Sequence, residues 1–524
     1  MIGFAPRSGR LAPFAAGTAA VILAMPIISW AQVAAETPVE ERPVVLSPGP
    51  QLLIDDYLIS QSQGTTRRVN SAERFREEPV VTGSAAHQNW QPFLTVLHDP
   101  WAPPARRFRM WYNVDTVDDP RDGEWFGATG HLESSDGVHW PGPYKKLTSL
   151  AADGRVRFGA SVLDEGPRHP IPAERFKMLY FDAGDLVGPR VAFSADGLEW
   201  TANAGGKPIM PKAPSDDIWT AGFDPYRKRY FLIGKQFGPF AWTNAEGESL
   251  NLPIRRYFTS FSQDFKSWTD FEGCVYSPDE RDPGVTQWYG AAGFLARGGL
   301  IVGFLRVLRD DLTASGAPPE AIAANNGGAA NLGSNLLGTK GGAGMGYTVL
   351  TWTRDGKTWH RDRHTDAFLQ PNPAVGAWDH AMAWVGSAVP VGDELFLYYA
   401  GYRWGHKYRH SVDRQIGLVK IPRDRLVARE AGSLDGLLTT RPIVLDGDEL
   451  LLNVDARGGR VQVRLTEPGG APYAGFDFDD CRPISEDSLA ATVAWPRKPI
   501  TLRGKPVRLQ FKLARARLYA FEIR

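Results

Sequence analysis

One short phrase is written four times along the chain, and it limits the fold more than any other feature. It reads Ser135-Asp136-Gly137-Val138-His139-Trp140, Ser194-Ala195-Asp196-Gly197-Leu198-Glu199-Trp200, Ser262-Gln263-Asp264-Phe265-Lys266-Ser267-Trp268 and Thr353-Arg354-Asp355-Gly356-Lys357-Thr358-Trp359. A Ser/Thr closing a strand, an Asp whose carboxylate accepts turn N–H groups, a Gly for positive φ and a Trp packing back on the hairpin describe a tight β-turn. Asp136, Asp196, Asp264 and Asp355 are therefore read as turn formers. A second series keeps phase with the first: apolar or aromatic runs at Phe108, Phe176, Tyr230, Leu300 and Leu395, each following a turn. The steps between them are 68, 54, 70 and 95 residues. The long last step contains a Gly/Ala/Asn-rich insertion, 313–346, whose composition cannot bury a core.

Five units in phase predict an all-β chain, a five-bladed β-propeller over 51–430. The fifth unit lacks the turn phrase, and Leu52–Ile59 is expected to supply its missing strand and close the ring. A sandwich or solenoid does not require this phase relation. After Arg425, short alternating strands separated by clusters such as Glu467-Pro468-Gly469-Gly470 predict a C-terminal β-sandwich, 431–524.

Arg7 and Arg10 precede an apolar stretch, Leu11–Trp30, ending in small residues. This predicts a signal peptide, 1–31, and a periplasmic or secreted protein, the rival being a membrane anchor. A Pro/Glu-rich linker, 32–50, follows. Lys and Arg number 59 and Asp and Glu 59, which removes the electrostatic basis for binding nucleic acid or anionic membranes. Cys274 and Cys481 are expected to be free and mostly buried, and no clustered Cys/His spacing points to a metal or other cofactor. A monomer is expected.

The five units, the turns and the C-terminal sandwich together resemble the secreted furanosidase-type glycoside hydrolases, the invertase/levanase, arabinofuranosidase/xylosidase and levansucrase superfamily. The phrases Leu53-Ile54-Asp55-Asp56-Tyr57-Leu58-Ile59, Trp378-Asp379-His380-Ala381-Met382 and Leu438-Thr439-Thr440-Arg441-Pro442 are more closely similar to bacterial exported invertase-like proteins. The resemblance implies an oligo- or polysaccharide substrate held in the central channel. It departs from the pattern in the first unit, where those hydrolases carry a catalytic Asp and this chain has Gln88-Asn89-Trp90-Gln91. Arg281-Asp282-Pro283 is similar to the Arg-Asp-Pro that holds substrate in invertases, but falls in the fourth unit.

Polar groups where inner strands begin are expected to converge on the channel. They are His87, Asn89, Trp90 and Gln91; Arg155 and Arg157; Asp216, Asp217 and Trp219; Glu280, Arg281, Asp282, Gln287 and Trp288; Trp378, Asp379, His380 and Trp384. Glycoside hydrolysis needs two carboxyl groups in different protonation states. Asp217, Glu280, Asp282 and Asp379 are the candidates; Asn89, Trp90, Gln91, Trp219, Arg281, Trp288, His380, Arg403 and His406 are the candidate sugar contacts. Plainer readings exist for each group: a strand cap for Asp216 and Asp217, a surface salt-bridge cluster for Glu280–Asp282, a buried hydrogen-bonded pair for Asp379 and His380, a solvated loop for Gly401–Lys407. Asp55 and Asp56 read as structural. A non-catalytic glycan-binding propeller and a glycan phosphorylase, with Arg403, His406 and Lys407 on phosphate, are the competing functions.

Overall fold

The computed structural model describes residues 42–84, 93–115, 127–147, 158–182, 186–210, 219–319, 342–408 and 413–524. The expected leader, 1–31, lies outside them. The chain is all-β. Three antiparallel four-stranded sheets follow one another. The first is Leu94–His98, Phe108–Asp115, Gly127–Ser134 and Lys145–Leu147; the second is Phe158–Asp164, Phe176–Asp182, Gly188–Ser194 and Thr201–Ala202; the third is Trp219–Asp224, Arg229–Thr243, Ser249–Ser262 and Cys274–Tyr276. A seven-stranded sheet holds two further groups, Thr286–Arg297, Leu300–Arg309, Met345–Thr353 and His360–Arg361, then Met382–Val391, Glu394–Tyr402 and Arg414–Pro422. Its halves meet at a single parallel bridge, Gly346 to Met382. The second strand of every group is one of the runs that the sequence marks. Phe176–Phe181 is buried at every residue, as expected for a strand covered on both faces.

The first strands touch in circular order. Leu94–His98 contacts Phe158–Asp164, which contacts Trp219–Asp224; that strand meets Thr286–Arg297, which meets Met382–Val391, and the last returns to Leu94–His98. Small hydroxyl residues stitch them together. Thr95 Oγ1 accepts the Val162 N–H at 3.2 Å, and Ser161 Oγ accepts from Ala221 N at 3.0 Å. Ser387 Oγ accepts from Val96 N at 3.0 Å and donates to Val96 O at 3.1 Å, which ties the fifth group to the first. A larger side chain would force these strands apart, which is why the sequence spends Ser and Thr here.

The repeated turns are built as the sequence predicts. Asp136 Oδ1 accepts the N–H groups of Val138 and His139, both at 2.8 Å, and Ser134 Oγ accepts from Gly137 N. Burial alone would raise the Asp355 carboxyl, but the N–H groups of Lys357 and Thr358 and the Thr353 hydroxyl bring it down to about 2. Each turn also leans on the preceding group. Trp111 Nε1 donates to Gly197 O at 2.8 Å, and Tyr398 of the fifth group donates to Gly137 O at 2.7 Å. Gly137 sits at φ +73, and a Cβ there would lie 2.6 Å from the Tyr398 hydroxyl, so both backbone conformation and packing demand glycine. In the third turn Phe265 takes the positive φ and is fully buried, edge-on to Tyr230.

Two further sheets share a second core. One contains Gln51–Leu52, Thr65–Val69, Val427–Ala431, Leu450–Asp455, Asp487–Thr492 and Ala516–Ile523. The other contains Ile59–Gln63, Gly436–Thr440, Ile443–Val444, Arg460–Thr466 and Pro506–Ala514. Leu452, Val454 and Phe521 from the first bury against Leu438, Val463 and Phe511 from the second. At about 1.5–3 kcal/mol for each such side chain, this core is ample to hold the two sheets together.

The structure corrects three expectations. Leu52–Ile59 does not close the ring: Gln51–Leu52 pairs with Ala516–Ile523, and Ile59–Gln63 pairs with Gly436–Thr440. The last strand of the fifth group is flanked instead by 74–81, through bridges of Arg74 to Val419 and Val81 to Ile416. Residues 51–69 and 427–430 thus belong with the C-terminal sheets rather than with 51–430 as a unit. The end of the 32–50 linker is also engaged, since Val44 bridges Ile443. Both cysteines are free, but only Cys481 is buried; Cys274 lies exposed on an outer strand.

Candidate functional site

The circular arrangement leaves a cavity of about 260 Å³ lined by all five first strands, among them Thr95, Ser161, Thr220, Gly293 and Ser387. Among the described residues that line it, Arg306 is the one charged group. It interrupts the apolar strand Leu300–Arg309 and is 2% exposed. Burial pushes its guanidinium down to about 10, opposed by the phenols of Tyr257, Tyr289 and Tyr402, so it stays protonated at neutral pH.

The three tyrosines connect Arg306 to further basic and aromatic groups. Tyr289 stacks on Trp384 with centroids 4.5 Å apart, carries the Arg255 guanidinium at 5.1 Å, and bonds His406 Nε2 through its hydroxyl at 2.8 Å. Arg414 lies 4.6 Å over Tyr402 and donates to His406 O. Beneath them runs a polar chain: Arg255 donates to Gln287 Oε1 at 2.7 Å, Gln287 Nε2 donates to Asp310 at 2.5 Å, and Asp310 pairs with Lys407 at 2.6 Å. Burial lowers the Lys407 pKa, and Asp310 opposes that shift. Asp310 and Lys407 are both almost fully buried, so removing either partner would strand a charge.

The sequence candidates separate. Asn89, Trp90, Gln91 and Asp217, with His87, Arg155, Arg157 and Asp216, lie outside the described residues. Trp219 lines the cavity, yet the residue is 3% exposed and its ring stacks on Phe271, so it offers no free face to a sugar. Trp288 is likewise buried, under the Arg361 guanidinium at 4.4 Å. Asp282 is 1% exposed and is held by Arg361 at 2.7 Å; burial raises its pKa and Arg361 pulls it back. Arg281 is exposed and bonds Asp279, and Glu280 is exposed. Asp379 is wholly buried, accepting from Arg74 Nε at 2.5 Å and the Tyr399 hydroxyl at 2.9 Å. His380 bonds Asn372 O through Nδ1. None of Glu280, Arg281, Asp282, Trp288, Trp378, Asp379 or His380 lines the cavity. Arg403 pairs with Asp413 at 3.4 Å, whereas His406, Lys407, Gln287 and Trp384 do join the group around Arg306.

No protein-family model matches the chain, and no curated protein matches it. Solved structures do. A glycoside hydrolase shares 13% identity at a TM-score of 0.41, over 70% of this chain and 92% of its own. A glycosyl hydrolase from Bacteroides ovatus shares 12% at 0.40, over 72% and 98%. A third represents the GH130 family of mannoside phosphorylases, which contains glycoside hydrolases that target β-1,2 mannosidic linkages in Candida mannan; it shares 13% at 0.37, over 71% and 97%.

Sequence reasoning passed over Arg306, Tyr257, Tyr289, Arg255, Asp310 and Arg414. One signal was available. A charged residue inside the run Leu300-Ile301-Val302-Gly303-Phe304-Leu305-Arg306-Val307-Leu308 can be buried only where something answers its charge.

Proposed function

We propose that the chain is an exported glycoside hydrolase, a five-bladed β-propeller with a C-terminal β-sandwich, acting on a glycan at one end of the propeller axis. The observation that carries this reading is the cavity lined by five first strands, beside which tyrosines, a tryptophan and arginines gather. Phenol and guanidinium donors beside a cavity are groups that hold sugar hydroxyls. The sequence resemblance to furanosidase-type hydrolases points the same way.

Asp217 and Glu280 are the carboxyl groups to test first, Glu280 from outside the cavity lining. Asp217 stands two residues before Trp219, whose strand lines the cavity. Of the three described candidates, Glu280 is the one not held in an arginine ion pair. The test is a panel of oligosaccharides with mass-spectrometric product detection, run on the wild type, Asp217→Asn and Glu280→Gln. Turnover by the wild type, lost in both variants with unchanged melting temperature, is the expected result. Affinity without product on every glycan would make the protein a non-catalytic binding propeller. Recovery of the mature N-terminus near residue 32 from a periplasmic fraction tests export.

A further inference from the structure

We infer that the chain carries a second glycan site, centred on Trp101, that holds a neutral polysaccharide away from the cavity. This rests on the glycan-acting reading above and adds to it a place where a long substrate is gripped. Of the described tryptophans Trp101 is the exposed one, at 70%, and among the described residues no ring or cation packs on it. It lies at the far end of the strand Leu94–His98 from Arg306. Phe93, just before that strand, has its ring 5.7 Å from the Arg306 guanidinium, whereas Trp101 follows the strand's end. At about 3.4 Å per residue the five-residue strand sets the two places on the order of 15 Å apart.

The turn holds the indole in place without needing it. Asp99 Oδ1 accepts the Trp101 N–H at 3.0 Å, Asp99 Oδ2 takes Arg175 at 2.6 Å, and Pro100, Pro103 and Pro104 fix φ on either side. In the third group Asp224-Pro225-Tyr226 repeats the turn, with Tyr226 N donating to the Asp224 carboxylate at 3.1 Å, but there the ring packs on the core. The second group makes the corresponding turn with Asp164-Glu165-Gly166 and no aromatic residue. The backbone therefore requires the Asp, and the exposed indole at 101 is free for another task. A tryptophan buries about 150–250 Å² when covered. Ile171, 50% exposed on the loop that Arg175 ties to this one, adds one more apolar side chain. Together they fall far short of the roughly 1,200–2,000 Å² that a stable protein–protein interface buries, but they suffice to cover a sugar ring. The rim is electrically balanced. Arg106, Arg107 and Arg175 face Asp99, Glu133 and Asp164, with Arg106 paired to Glu133 at 2.8 Å and Arg175 to both aspartates. Such a rim gives an anionic chain no advantage, while its guanidinium and carboxylate edges serve sugar hydroxyls.

The test is affinity electrophoresis of the full mature protein through gels containing levan, arabinan or mannan, run on the wild type, Trp101→Ala and Trp101→Phe. Retardation by at least one of the three is expected, with the dissociation constant raised about tenfold or more in Trp101→Ala and largely restored in Trp101→Phe. The melting temperature and the turnover of short oligosaccharides should not change. Trp101→Gln, which keeps bulk and loses the ring, stands in if alanine unfolds the chain. Equal retardation of the wild type and Trp101→Ala, or turnover of oligosaccharides without retardation by any polysaccharide, overturns the inference and leaves the glycosidase reading intact. Trp101-dependent retardation of a protein that turns over no glycan supports the inference and defeats the hydrolase reading. A concentration-dependent mass in sedimentation that Trp101→Ala abolishes overturns it in favour of a contact between copies of the chain. Neither retardation nor turnover overturns both readings.

Discussion

Asp379→Asn separates two roles that one residue could have. The sequence places Asp379 where an inner strand begins, as a catalytic carboxylate would be. The structure places it under the segment 74–81, with its carboxylate against Arg74 Nε at 2.5 Å and the Tyr399 hydroxyl at 2.9 Å. That segment flanks the last strand of the ring through few backbone contacts, including Phe75 N to Leu418 O and Val81 N to Ile416 O. The Arg74–Asp379 pair is therefore a main anchor of ring closure. Asparagine keeps the shape and removes the charge, leaving a guanidinium that is 20% exposed without its partner. Breaking a buried pair from one side costs about 3–5 kcal/mol, and the partial exposure of Arg74 favours the lower end, about 3 kcal/mol. With an unfolding entropy of about 2.1 cal/mol/K per residue over about 480 residues, near 1 kcal/mol/K in all, the melting temperature should fall by about 3 °C. Scanning calorimetry on Asp379→Asn, Arg74→Gln and the double variant reads this directly. The double variant should lose little more than either single one, because the interaction is shared. A variant Asp379→Asn that melts with the wild type yet turns over no glycan would refute the reasoning and return Asp379 to the chemistry.

Three other outcomes follow from the geometry. Gly137→Ala should cost at least about 1–2 kcal/mol, since alanine at φ +73 is strained and its Cβ would meet the Tyr398 hydroxyl; chemical denaturation with an unchanged midpoint would contradict it. Ser387→Ala strands the buried Val96 N–H and C=O at the join between the fifth and first groups, so a loss of about 1–3 kcal/mol is expected, together with faster amide exchange at Val96. His131 supplies a pH dependence. Burial, with help from Arg109 and Arg106, lowers its pKa to about 3, so below about 6.5 the unfolded chain binds a proton that the folded chain does not. The stability it contributes is complete above pH 6.5 and drains away at up to about 1.4 kcal/mol per pH unit between 6.5 and 3; His131→Gln should show a correspondingly shallower acid limb.

What the sequence made legible is what it encodes locally. Ser134, Asp136 and Gly137 satisfy one another within four residues, so the phrase alone announces the turn and its repetition announces the groups. The closing strand failed for the opposite reason. Leu52–Ile59 is apolar and strand-like, but its partners are set by the C-terminal sheets far along the chain; Arg74–Val81 carries a Pro and several charges, and its pairing with Ile416 and Val419 depends on contacts about 340 residues distant.

The arginine pairing of two candidate carboxylates, Asp282 and Asp379, was hidden in the same way. Nothing near Asp282 reveals that Arg361, from an outer strand 79 residues later, will neutralise it, nor near Asp379 that Arg74 will arrive from 305 residues earlier. A buried charge, by contrast, can be read without its partner. Arg306 within an apolar strand states that an answering group exists, and the phenols of Tyr257, Tyr289 and Tyr402 belong to that answer. Arg109, Lys177 and Lys235 likewise interrupt second strands and are buried, so what sets Arg306 apart is its place among the residues that line the cavity. On that ground the place to probe first is Arg306 and the aromatic residues around it, ahead of the carboxylates that spacing alone suggests.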